Sequence, residues 1–298
     1  MANTDVGVAA GGLGKTIAAA IVQFNKAAVT PATISMAAAV KGSNTVLFPV
    51  YAKLAAPAVT NEATGDEDTE VAATSITTAA TSVEVLRNHI NARVTDLAAY
   101  GNSDALMVNA GQVLGNAVAT EFDANICARF DAFATSKGTS TEGLRWIDIM
   151  DAVASLETND APRPYSAVLH PQQMYGSFGL SNELGQVAAV NGSNGAFGAG
   201  SSASEDFLQA GFVTSLAGVN FYTSPQVIDG SDSTEKKGAI YAKTALGCGY
   251  IDFGGGSFIE MRTERNELGA STNLVANGYW ASAELVDLHG VEIFTEIS

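Results

Sequence analysis

The sequence predicts an α+β chain, and three observations predict it. An apolar stripe of helical period runs from Ser103 to about Ala134, a Thr- and Val-rich extended stretch divides around the acidic tip at Gly65, Asp66, Glu67 and Asp68, and the second half alternates strand-forming with helix-forming runs. At 298 residues, 47% hydrophobic and with a mean hydropathy of +0.15, the chain has apolar surface enough to offset the entropy of ordering. Much of that surface is alanine, with Gly, Ser and Thr beside it, so backbones can approach closely and surfaces can pack tightly.

The first segment, residues 1–45, is rich in Ala, Gly and Thr, and Pro31 interrupts any helix over Thr16 to Ala28. It reads as an N-terminal arm or, equally, as a helical segment packed on the body. From Thr45 the run "TVLFPVYAKLA" is strand-forming, and "PAVTNEATGDEDTEVAATSITTAATSVEVL" continues in Thr and Val on both sides of Gly65, which predicts an extended β-hairpin loop over 46–85. Arms of roughly fifteen residues each reach about 50 Å. A two-stranded hairpin is marginal in water. This one carries small and β-branched side chains and no large apolar face, so its order is expected to come from another surface, a neighbouring subunit. Glu62, Asp66, Glu67, Asp68 and Glu70 are the candidate contact residues.

The helix is predicted from Ser103 as N-cap to about Ala134. Leu106, Val113, Leu114, Val118, Phe122, Ile126, Phe130 and Phe133 form its core face, with Ala110 and Ala117 filling it and Lys137 and Gly138 beyond its end. That length is about 48 Å. Gly111 and Gly115 weaken it and are expected where something presses close. After Gly143, "LRWIDIMDAVASLET" predicts a helix, "YSAVLHP" a buried strand, and "PQQMYGSF" a helix opening at its proline. "VNFYTSPQVI" and "GAIYAKTAL" predict strands, "NGSNGAFGAGSSAS" over Asn191 to Ser204 a loop, and "SFIEMRTER" and "HGVEIFTEI" alternate as sheet strands do.

Charge narrows the function classes. The 31 acidic against 15 basic residues give −16 and a pI near 4.4, a surface that repels phosphate, so direct nucleic-acid binding is disfavoured. Such a charge keeps a protein soluble or, alternatively, lets it live beside nucleic acid without sticking to it. Cys127 and Cys248 lack CxxC spacing and imply neither a disulfide framework nor a zinc site. Asp5 stands where a signal peptide has Lys or Arg, and no apolar run is long enough to span a bilayer, so an intracellular soluble chain is expected.

The chemical motifs have duller alternatives. "AAGGLGKT", Ala9 to Thr16 with Lys15, is similar to a phosphate-cradling loop, but Ala9 replaces the first glycine and too little chain precedes it for the strand that aims such a loop. A flexible glycine-rich arm accounts for it better. "DEDTE", Asp66 to Glu70, alternates carboxylates as a calcium loop does, yet Val71 stands where that loop's turn requires glycine. His89, His170 and His289 lack ligand spacing, and no G-x-S-x-G elbow occurs. No cofactor or metal is expected, and no enzymatic activity.

Taken in order, the arm, acidic-tipped loop, long helix, α/β region and closing strands resemble the major capsid proteins of tailed bacteriophages, with the Hong Kong 97-type fold. The stretches that carry the resemblance are "VEVLRNHINARVTDLAAYGNSDALMVNAGQVLGNAVATEFDANICARF", "DIMDAVASLETNDAPRPYSAVLHPQQMYGSF" and "FIEMRTERNELGASTNLVANGYWASAELVDLHGVEIFT". The resemblance spans nearly the whole chain and implies an arm over 1–45, an extended loop over 46–85 lying on an adjacent subunit, and a peripheral domain over 86–143 with a spine helix from Ser103 to Ala134. It further implies an axial domain over 144–254 gathered around five-fold or six-fold positions, and a return to the peripheral domain over 255–298. Expected partners are the chain itself as pentamers and hexamers, scaffolding and portal proteins and a decoration or cement protein, around double-stranded DNA that is enclosed without specific binding; no membrane is expected. No coiled-coil pattern precedes the arm, so a scaffold is expected as a separate or already removed protein. The implied location is the virion, assembled in the host cytoplasm, with an acidic lining facing the DNA. A cellular nanocompartment shell of the encapsulin kind shares this fold and stays open as an alternative, as does a phosphate-loop nucleotide enzyme from a different class.

Overall fold

The computed structural model describes residues 20, 28–40, 42–51, 78–96, 105–182, 215–216, 218–253 and 259–297. The Gly65 tip, Lys15 with its glycine-rich motif, Ser103 and the expected loop from Asn191 to Ser204 lie outside them.

Two sheets and one long helix make the body. The described strands are β1 (Ser35–Ala38), β2 (Thr45–Tyr51), β3 (Thr78–Glu84), β4 (Leu86–Thr95), β5 (Ser136–Lys137), β6 (Tyr165–Leu169), β7 (Ser215–Leu216) and β8 (Val219–Thr223) in the first part. β9 (Ile228–Asp229), β10 (Glu235–Ala242), β11 (Leu246–Tyr250), β12 (Ile259–Asn266), β13 (Ser271–Glu284) and β14 (Gly290–Glu296) follow. The helices are α1 (Ala105–Cys127), α2 (Trp146–Thr158) and α3 (Pro171–Tyr175).

The seven-stranded sheet runs β5-β14-β10-β6-β8-β7, with β9 also on β10. β6 is buried at every position, as a central strand covered on both faces must be. α2 lays Ile149, Ala152, Val153 and Leu156 on it, against Ile240, Val291 and Ile293. α3 opens at Pro171, and Gln173 ties it to two strands: its Nε2 donates to the Lys236 carbonyl at 3.0 Å and to Thr295 Oγ1 at 2.8 Å.

The five-stranded sheet is organised by β13. Residues Ser271 to Gly278 pair with β12, Trp280 to Glu284 with β11, and Ser271 to Trp280 with β4. Because Trp280 pairs with both β4 and β11, and Ser271 to Gly278 with both β4 and β12, the last two lie end to end along one side and β4 along the other. β1 adds parallel to β11. Beyond β4 no further strand pairs among the described residues, so β4 is an edge. A separate two-stranded pairing, β2 with β3, covers one face of this sheet, burying Val46, Phe48, Val83 and Val85 against Tyr279, Ala281 and Leu285. A Cβ at Gly249 would stand 2.9 Å from the Val46 side chain, which is why that position carries none.

α1 joins the two sheets. Leu114, Val118, Phe122 and Ile126 are buried in one cluster with Trp280, Leu274 and Ala276 of β13 and with Ala239 and Tyr241 of β10. Phe122 meets the Trp280 ring at 5.5 Å between centroids, and Phe130 meets Tyr241 at 5.6 Å. Gly115 sits where the Ala20 backbone passes: a methyl there would overlap the Ala20 carbonyl, so the expected close approach is real.

Several expectations need correction. The helix ends at Cys127 instead of reaching Ala134, and Phe130–Ala132 is a 3-10 turn. Phe133 leaves it in extended conformation, and that break lets both Phe130 and Phe133 reach the Tyr241 ring. Val113 is not on the core face; it is 69% exposed. Nine residues separate it from Phe122, which at 100° per residue is about half a turn away. "GAIYAKTAL" is not one strand: β10 ends at Ala242, and after a turn at Lys243–Ala245 the chain enters the other sheet as β11. "VNFYTSPQVI" likewise breaks at Ser224–Val227 around Pro225. The end of the 1–45 segment is built into the body, with Thr30 and Ile34 buried and β1 in the sheet. The boundary near residue 254 is crossed both ways, since β11 pairs with β13 and β14 pairs with β10.

Candidate functional site

Two surfaces follow from this architecture: the hairpin that leaves the body and the latch that holds the N-terminal segment to it. The β2–β3 register runs from Thr45 opposite Glu84 to Tyr51 opposite Thr78. Its base is fixed by Val85 N–H donating to the Asn44 carbonyl at 2.7 Å and Asn44 Nδ2 donating to Glu84 Oε1 at 3.0 Å. Leu47 and Tyr51 share the face of β2 turned away from the sheet and are exposed, as are Thr78, Ala79 and Ala80 at the start of β3. The candidate contact residues Glu62, Asp66, Glu67, Asp68 and Glu70 fall between these strands, outside the described residues.

On α1, Leu114, Val118, Phe122, Ile126 and Phe130 just beyond its end are buried, Val113 is exposed, and the Leu106 side chain lies outside the description. Sequence reasoning missed Asp123. This buried carboxylate lies one residue from Phe122 and accepts from Val29 N–H at 3.0 Å, Thr30 N–H at 3.1 Å and Thr30 Oγ1 at 2.6 Å. Thr33 Oγ1 then pairs with the buried Tyr241 hydroxyl at 2.7 Å. An acid flanked by apolar core positions of one helix is the signal that could have found it, because a buried charge must be satisfied by donors.

Two of the three histidines hold hydrogen bonds. His170 caps α3, its Nδ1 accepting from Gln172 N–H at 3.2 Å; burial, then the Lys236 charge, pull its pKa below the ordinary histidine range and favour the neutral ring the cap needs. His289 Nδ1 lies 2.8 Å from Thr244 Oγ1, and burial lowers its pKa as well. His89 is exposed on β4. Among the described residues no group of three or more His, Cys, Asp or Glu is placed to hold a metal, and no helix is long and apolar enough to cross a membrane.

Cys127 and Cys248 are buried free thiols. Burial pushes Cys248 up to about 12 and Cys127 further, the Asp123 charge adding to burial there. A thiolate is the reactive form. Neither cysteine is therefore expected to react with an alkylating reagent in the native protein at about pH 8, and both should react in denaturant; mass spectrometry of the labelled chain checks it. The sign of the linkage also follows. Each thiol stays protonated in the fold but ionises near 9.0 when unfolded, so this contribution to stability is whole below that pH and declines as pH rises toward the folded values.

No family profile and no curated sequence matches the chain. Solved structures do. The capsid of the cyanophage P-SCSP1u is similar at a TM-score of 0.59 and 16% identity, covering 89% of this chain and 87% of the other. The capsid of Ralstonia phage GP4 is similar at 0.62 and 13%, covering 89% and 87%. The holo-SrpI encapsulin complex of Synechococcus elongatus is similar at 0.55 and 10%, covering 89% and 86%. The chain has a tailed-phage major-capsid fold.

Proposed function

We propose that the chain is a major capsid protein that assembles with copies of itself, as pentamers and hexamers, into an icosahedral shell around double-stranded phage DNA. The single observation that carries this reading is the match to phage capsids over nearly the whole of both chains, at TM-scores of 0.59 and 0.62. In this reading the division is of the Hong Kong 97 type: residues 46–85 are the extended loop, α1 is the spine of a peripheral domain built on the five-stranded sheet, and the seven-stranded sheet is the axial domain. Shell packing is then the activity, with flexible loops absorbing the differing angles between neighbours. Scaffolding, portal and decoration proteins are its partners, the host cytoplasm its site of assembly and the virion its destination. The net charge of −16 suits a lining that confines DNA without adsorbing it.

Electron microscopy of the purified, concentrated protein is the test. Closed icosahedral particles are expected, and deletion of Pro57 to Thr74 is expected to leave a folded subunit that makes none. A wild-type protein that stays monomeric under assembly-promoting conditions overturns the reading. The encapsulin match favours one second reading, a cellular compartment shell. Particles from cells that hold nuclease-protected DNA support the virus shell; particles holding a protein cargo support the compartment.

A further inference from the structure

β12 carries a charge pattern that complements itself. Its inner side pairs with β13, from Ile259 opposite Gly278 to Asn266 opposite Ser271, and no strand takes its outer side among the described residues. Ile259 and Met261 are buried in the cluster that holds α1, so Glu260, Arg262, Glu264 and Asn266 alternate onto the other face of the sheet. Arg262, Thr263, Glu264 and Arg265 are exposed. Arg262 meets Glu260 of its own strand at 2.8 Å, and Glu264 meets no cation among the described residues. A strand edge left open in this way is a template for another chain.

The neighbouring strands limit what can fill it. β1 lies one strand further out than β12: Ala38 pairs with Tyr250 and Tyr250 with Trp280, so β1 ends two residues short of the level at which β12 begins. A strand added outside β12 therefore continues the line of β1 and has the length of β12 to itself. Apolar side chains stand exposed at both ends of this slot. Val40, 77% exposed, opens the turn that follows β1, and Leu268, fully exposed, lies in the turn between β12 and β13.

We infer that the occupant is β12 of a second copy, paired antiparallel about a two-fold axis through Thr263, so that one sheet runs through both subunits. This contact rests on the shell reading above, in which copies meet across two-fold axes. Charge selects both the partner and the register. Centred on Thr263, Arg262 of each copy faces Glu264 of the other, and Glu260 faces Asn266. Centring on Arg262 opposes arginine to arginine and Glu260 to Glu264; centring on Glu264 or Arg265 opposes that residue to itself. Centring on Met261 drives the copy's strand into the line that β1 already fills. In the Thr263 register the copy's Asn266 is level with Glu260, so its Leu268 reaches the turn at Val40, and the axis repeats that contact at the other end.

A cysteine placed on the axis of the full-length protein tests this. Thr263→Cys, oxidised in air with a copper–phenanthroline catalyst, is expected to run mostly as a disulfide-linked dimer, since directly opposed residues stand about 4.5–5.5 Å apart at Cα. Arg262→Cys should give at least about tenfold less, because its equivalent is a diagonal neighbour about 8 Å away. The native Cys127 and Cys248 are buried and do not compete. In the Thr263→Cys background, Arg262→Glu is expected to cut cross-linking about tenfold, and adding Glu264→Arg to restore it to within about threefold. Circular dichroism and thermal melting of each variant should match the parent. If particles form and Thr263→Cys stays uncross-linked, the β12 contact is wrong and the shell reading stands. Equal cross-linking at positions 262 and 263, or a charge exchange that fails to rescue, is collision without register and also overturns it. Cross-linked dimers without particles uphold the contact and overturn the shell reading; neither dimers nor particles overturns both.

Discussion

Replacing Asp123 with alanine is expected to destabilise the isolated subunit by about 3–5 kcal/mol, because it strips the acceptor from two backbone amides and a hydroxyl that are held out of water. The carboxylate binds Val29 and Thr30 to α1, and the nearby Thr33 hydroxyl is already engaged by Tyr241. Asp123→Asn keeps one acceptor oxygen but turns an amide NH2, itself a donor, toward donors, so it should recover only part of the loss. The midpoint of urea unfolding under non-assembling conditions, at constant slope, measures it. A shift below about 1 kcal/mol would mean the segment is held by the Ala20–Gly115 contact and not by the charge.

Phe122→Ala is expected to cost about 3–5 kcal/mol, and Phe122→Leu about 1–1.5. The ring is fully buried between α1 and β13 and tilts against Trp280, so truncation leaves a void that the covering sheet cannot collapse to fill. There is also a spectroscopic readout. The chain has two tryptophans, Trp146 and Trp280, and the second meets the Phe122 ring, so native emission should shift to the red in the alanine variant as the Trp280 environment loosens.

What was legible in the sequence was whatever depends on a regular local period. Leu114, Val118, Phe122 and Ile126 recur at four-residue spacing and are all buried; β6 is apolar but for Ser166 and is buried throughout. Val113 was mis-sorted because an apolar residue beside the stripe has the same chemistry as one within it. β13 was not individually legible, although it organises a sheet. Its sequence, "STNLVANGYWASAE", mixes Asn and Gly with apolar residues, and the polar members make sense only across strands, as where the buried Asn277 accepts from Arg87. The division of "GAIYAKTALGCGY" into two strands of different sheets was equally hidden, since no Pro or Gly marks the turn at Lys243–Ala245 and tertiary pairing alone decides it. Of the candidate site, the acidic loop stood out through its composition.

The chain crosses between its two larger sheets at Lys243–Ala245 and again over Leu285–His289, and these two crossings are sewn together. The Ala245 carbonyl accepts from Leu285 N–H at 2.7 Å and from Val286 N–H at 3.3 Å, directly beside the aromatic cluster that α1 drives between the layers. A plate riveted at its waist in this way resists creasing there. On the shell reading, the curvature of a closed surface is therefore taken up at the rims of such plates.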